Sequence, residues 1–172
     1  MTYLLDNFES RQSASFGSSW VAQNDQPMGG HSRIEITHCQ QADHYLEIKG
    51  QVKNEPPAGY IEAALPLIRA RHLFDARLFE GVYVRTQSGL PPSETDHYFI
   101  RLQTRELSMP WQFYQAPFSP PAELTGIKIP FINFQAVNTS HTLNLERLTR
   151  ISVTASNGDF TVDLKLSEIG FY

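Results

Sequence analysis

The feature that most constrains this chain is a two-residue hydrophobic period, broken by turn residues before it can run far. In Tyr45 to Val52, Leu46, Ile48 and Val52 alternate with Glu47, Lys49 and Gln51. Gly81 to Gln87 sets Val82 and Val84 against Tyr83 and Arg85, and His97 to Thr104 sets Tyr98, Ile100 and Leu102 against Phe99, Arg101 and Gln103. From Phe160 onward, Val162, Leu164 and Leu166 alternate with Thr161, Asp163 and Lys165. Successive side chains of a strand point to opposite faces, so this spacing predicts half-buried strands. Asn54–Gly59, Gln87–Ser93, Pro117–Gly126 and Ser156–Gly158 are rich in Gly, Pro, Asn and Ser and read as turns or loops. Only Leu67 to Phe74 reads as helical, and it is too short to form a layer. Short strands with such turns predict an all-β fold of two packed antiparallel sheets, a sandwich or jelly roll of about eight strands or more.

The 172 residues suit one domain spanning 1–172, with no repeat or linker dividing them. A net charge of -4, with Lys and Arg scattered singly, gives no field for gathering phosphates, so nucleic acid is not an expected partner. Cys39, the single cysteine, has no internal disulfide partner, which suits a reducing compartment. The start lacks the basic and apolar regions of a secretory signal, and no stretch approaches the roughly 20 apolar residues of a membrane span. The expectation is a cytoplasmic protein without membrane insertion.

Trp20-Val-Ala-Gln-Asn-Asp25, followed by Gln-Pro-Met-Gly-Gly30-His-Ser32, resembles the Asn-Asp-x-Val-Met-Gly-Gly-x-Ser signature of the complex I intermediate-associated protein 30 (CIA30) family. Further similarities follow in order at Gly59-Tyr60-Ile61, Phe79 to Val82, Trp111 to Phe118, Ile129-Pro-Phe131 with Phe134, and Gly158-Asp-Phe160. Pro27 stands where the signature has Val, and Thr125 where many members carry Trp. The resemblance implies a galactose-binding-like β-sandwich related to carbohydrate-binding modules. It also implies an assembly-factor or chaperone role toward NADH dehydrogenase, as in mitochondrial members. With no mitochondrial presequence at the start, a bacterial-type member is expected.

Two groups of residues are candidates for binding. Asn24, Asp25, Gly29, Gly30, His31 and Ser32 have the composition of a tight polar loop, either a turn locking two strands or a ligand loop in which paired glycines admit a partner. Tyr83, Arg85, Phe99, Arg101 and Gln103 lie opposite the core in their strands, with Trp111, Phe113 and Tyr114 in the next segment. Rings beside Arg and Gln suit a sugar or peptide surface, unless another segment covers them as a second small core.

Catalytic chemistry lacks a signature. The six histidines show no His-x-x-x-His or Cys/His spacing for a metal, and no nucleophile elbow or phosphate loop is present. Glu94 with Asp96-His97 forms the nearest thing to an acid/base group, in a loop composition that favours a solvated cluster. The expectation is a binding module without catalytic residues, cofactor or metal. A protein partner leads, carbohydrate is the alternative, and a small hydrolase with an unrecognised carboxylate pair is a minor one.

Overall fold

The computed structural model describes residues 1–10, 14–56, 59–91 and 97–172. The strands are β1 (Tyr3–Asp6), β2 (Val21–Asn24), β3 (Arg33–Gln40), β4 (His44–Val52), β5 (Tyr60–Pro66), β6 (Gly81–Ser88), β7 (Tyr98–Thr104), β8 (Phe113–Phe118), β9 (Thr125–Pro130), β10 (Gln135–Val137), β11 (Leu148–Ser156) and β12 (Phe160–Phe171). They form two six-stranded sheets. In the first, the order is β3-β4-β12-β6-β9, with β1 also paired to β12; in the second it is β10-β8-β7-β11-β5-β2. Every strand pair is antiparallel. This is the β-sandwich that the alternation predicts.

The core lies between the sheets, where the inward sets of the four alternating runs meet. Leu46, Ile48, Val52, Val82, Val84, Val162, Leu164 and Leu166 come from the first sheet, and Ile100, Leu102, Ile151 and Val153 from the second. Each is at most a few per cent exposed, so burying one stabilises the fold by about 1.5–3 kcal/mol relative to leaving it in water. Phe74, Phe79, Phe131 and Phe171 stack at one end, with Tyr3 edge-on to Phe74.

Leu67 to Phe74 is not helical. Arg69 and His72 exchange backbone hydrogen bonds across a two-residue turn whose central residues, Ala70 and Arg71, have φ of 50° and 68°. Both positive values belong to a primed hairpin turn, whose twist matches that of adjoining strands. Two predicted loops are also shorter than their composition suggests: Gln87 and Ser88 continue β6, and the loop after it loses both ends, as Pro117 and Phe118 continue β8 while Thr125 and Gly126 open β9. Pro117 lies within β8, which the short β10 screens over part of its length only.

The candidate outer face is divided between the two sheets. Tyr83 and Arg85 belong to β6 in the first sheet, whereas Phe99, Arg101 and Gln103 belong to β7 in the second. Both sets point away from the core, so they lie on opposite sides of the sandwich. They cannot form one surface.

Candidate functional site

The polar segment after β2 is a brace. Asn24 ends the strand, a 3-10 turn runs over Gln26–Met28, and Gly29 follows at φ 90°. Asp25 is fully buried, and its carboxylate accepts hydrogen bonds from the Ser32 N–H (3.0 Å), the Ser32 hydroxyl (2.7 Å) and the Tyr60 N–H (3.2 Å). The Ser32 oxygen in turn accepts from the Lys53 N–H at 3.0 Å. Gly30 packs against the Asp25 carboxylate with no room for a Cβ. Asp25, Gly30 and Ser32 therefore join the ends of β2, β3, β4 and β5, the strand-locking turn that is one of the two readings of this segment. Asn24 also turns inward in part, donating to the Ser32 carbonyl at 3.3 Å. His31 is exposed, with its Nδ1 2.7 Å from a Glu55 carboxylate oxygen.

A groove of about 790 Å³ lies beside this brace, on the outer face of the second sheet. Its floor is set by strand register. Ser152 on β11 stands opposite Ala64 on β5 and Arg101 on β7, and Thr154 stands opposite Glu62 and Phe99. Its two walls come from opposite edges of the sheet. Pro27 and Met28 rise from the turn after β2, and Pro110 and Trp111 from the turn before β8.

Of the residues expected from the sequence, Asn24, Arg101, Gln103, Trp111 and Phe113 line this groove. Trp111 is 53% exposed. Its turn is held by neighbouring amides: Gln103 Nε2 donates to the carbonyls of Pro110 (3.2 Å) and Gln112 (3.0 Å), and Asn138 Nδ2 donates to that of Trp111 (3.0 Å). The indole is thus presented by a rigid support, which lowers the ordering cost of binding. Phe99 lies beside the lining, its ring 6.0 Å from the Arg101 guanidinium. Tyr114 points the other way; it is buried in the core, and its hydroxyl donates to the His141 carbonyl at 2.8 Å.

Arg101 is the cation of the floor. Its guanidinium lies 3.9 Å from the Phe113 ring centroid and donates to Gln115 Oε1 (3.1 Å) and Ser156 Oγ (3.3 Å). Burial pushes its pKa down to about 10, against the opposing pull of Glu62. Glu62 itself is held by Arg150 at 2.7 Å and by the Thr154 hydroxyl at 3.3 Å, and Gln23 accepts from Arg150 at 2.6 Å. Tyr60 forms the end of the floor next to Asp25, and burial, with Glu62 and Asp25 nearby, raises its pKa.

Sequence reasoning missed Tyr60, Glu62, Arg150 and Met28. Tyr60 and Glu62 alternate with the buried Ile61 and Ala63, but Glu62 is buried as well, so β5 reads as a continuous core strand. Arg150 suffers the same concealment, because β11 is buried on both faces from Ile151 to Ser156. A charged residue inside an otherwise apolar β5 was the available signal.

Glu94 and Asp96 lie outside the described residues, and His97 is exposed. Among the described residues, no group of three His, Cys, Asp or Glu side chains is placed to hold a metal ion. None of the helices among them is long and apolar enough to cross a membrane.

The fold is similar to the family 11 carbohydrate-binding module of the cellulosomal cellulase Lic26A-Cel5E of Clostridium thermocellum, with a TM-score of 0.73 and 13% identity over 99% of this chain and 94% of that one. It is similar in the same way to the family 11 module of Clostridium thermocellum in complex with a β-1,3-1,4-mixed-linked tetrasaccharide (TM-score 0.71, 14% identity, 99% and 94% covered). An exo-β-agarase matches 99% of this chain over 25% of its own, at a TM-score of 0.62 and 13% identity. At such identities these likenesses establish the fold alone. No curated protein matches the sequence. The model of complex I intermediate-associated protein 30 matches residues 7–166, from the first strand's end through the brace and the groove into β12. A match of that extent means that the chain belongs to the CIA30 family.

Proposed function

We propose that this chain is a non-catalytic binding module that docks a protein partner in the groove of its second sheet, in the assembly-factor role toward NADH dehydrogenase that its family name describes. The observation that carries the reading is a groove lined by the exposed Trp111 and Met28 together with Tyr60, Arg101 and Arg150. Trp, Tyr and Arg dominate the energetics of protein interfaces, and Met adapts its shape to a partner's surface. Met109 on the Trp111 turn and Val21 on β2 are also exposed, which extends apolar area to both rims.

A catalytic reading has less support. Glu62 is the one carboxylate among the described lining residues, and it is tied to Arg150 and Thr154. Glycoside hydrolysis by the usual route needs two carboxylates flanking the bond. Tagged protein purified from its native host is expected to bring NADH dehydrogenase intermediates with it, and Trp111→Ala to lose them. Recovery of no such subunit from cells assembling the complex would overturn the assembly role.

Carbohydrate binding is the second reading. It is favoured by the exposed indole of Trp111 lining the same groove as the planar amides of Gln103 and Asn138, since rings stack on sugar faces while amides bond hydroxyls. Calorimetric titration with mixed-linked and agaro-oligosaccharides decides it, and absence of heat on all of them removes it.

A further inference from the structure

The charges lining the groove do not balance. Its charged residues among those described are Arg101, Arg150 and Glu62. Glu62 is already engaged by Arg150 at 2.7 Å and by Thr154 at 3.3 Å. Arg101 is left with neutral acceptors only, Gln115 and Ser156, and with the face of Phe113. Tyr60 is the remaining titratable group facing it among those described, and its phenol is uncharged at neutral pH, with burial raising its pKa still further above the ordinary 10.0. A half-buried guanidinium without a contacting carboxylate sits beside an exposed indole, in a chain whose formal charge is -4.

We infer that the groove selects an acidic segment of a partner polypeptide, with a partner carboxylate closing on the Arg101 guanidinium while an apolar neighbour packs against the exposed indole of Trp111. This rests on the protein-docking reading above. Arg is built for that contact, because its planar fork meets a carboxylate through two parallel bonds and Phe113 already fixes its plane. The charge distribution sharpens the choice. The chain as a whole is net negative and disfavours an acidic segment, whereas the described charged lining of the groove, two arginines and one glutamate, attracts it. The groove also runs across the face of the sheet between its edges, so side chains rather than a backbone ladder must supply recognition.

The test uses two blocked tetrapeptides, acetyl-LELE-amide and acetyl-LQLQ-amide, titrated against the whole chain at low salt. Emission of Trp111 is followed over the background of buried Trp20. The glutamate peptide is expected to bind about tenfold or more tighter than the glutamine peptide. R101Q should abolish the preference, and R85Q, on the opposite side of the sandwich, should preserve it. Thermal melts confirm that both variants fold. Equal affinity for the two peptides, or a preference that survives R101Q, overturns the acidic selectivity while leaving protein docking in place. If neither peptide changes the emission but a neutral mixed-linked tetrasaccharide or tetragalacturonate does, the docking reading falls and the inference with it. No response to any of the four overturns both.

Discussion

Gly30 lies so close to the Asp25 carboxylate that a Cβ on residue 30 would overlap it. The Tyr60 N–H bonds the same carboxylate at 3.2 Å, so the brace and the floor of the groove share one buried group.

Asp25→Ala is therefore expected to unfold the chain more easily and to distort the groove together. It leaves the Ser32 N–H and hydroxyl and the Tyr60 N–H without their acceptor, a loss of about 3 kcal/mol or more. Gly30→Ala acts on the same contact by overlap. Urea denaturation should show a lower midpoint at an unchanged slope for both variants.

Trp111→Ala should do the reverse. The indole is 53% exposed and its turn is held by the side chains of Gln103 and Asn138, so stability should stay within about 0.5 kcal/mol. Affinity for the docked partner should fall about thirtyfold, the effect of removing an interface anchor. Thermal melts beside titrations separate the two effects.

Glu62→Gln tests the buried ion pair. The side chains of Glu62 and Arg150 are 9% and 21% exposed, and removing the negative partner strands the Arg150 charge, at a cost of about 2–3 kcal/mol. Replacing both, as Glu62→Leu with Arg150→Met, should recover most of that loss. A double-mutant cycle in denaturant measures the coupling.

Tyr60 sets an alkaline limit. Its pKa is raised above 10.0, by burial first and then by the Glu62 and Asp25 carboxylates. The folded chain holds this proton more tightly than the unfolded chain does. The resulting stability is complete below the unfolded value near 10.0 and is lost as pH rises through the folded one. Tyr60→Phe should flatten this limb of the stability profile, and ultraviolet difference spectra of the two proteins should show one late-titrating phenol fewer.

The architecture was largely legible because four strands are half-buried and alternate openly. Val82 and Val84 against Tyr83 and Arg85 identify an inner and an outer face without further information. What alternation cannot convey is which sheet a strand joins. Tyr83 and Arg101 each read as outward-facing, yet pairing of β6 with β12 and of β7 with β11 places them on opposite sides. Half of the groove was hidden for another reason: Glu62 and Arg150 satisfy each other within strands that are buried on both faces, and a single sequence does not reveal such pairing. At Leu67 to Phe74, composition suggested a helix where Ala70 and Arg71 adopt positive φ imposed by the hairpin around them.

The first sheet has a consequence for biosynthesis. Strand β12 pairs with β1, β4 and β6, and it leaves the ribosome after all three of them. Until Phe160 to Phe171 has emerged, β4 and β6 have no shared neighbour, and their apolar faces stay open to water or to a holding chaperone. Folding of this sheet therefore waits for β12 and is slow, as long-range pairing dictates. A nascent chain stalled before Phe160 is a species prone to aggregation, and one that cellular quality control would have to clear.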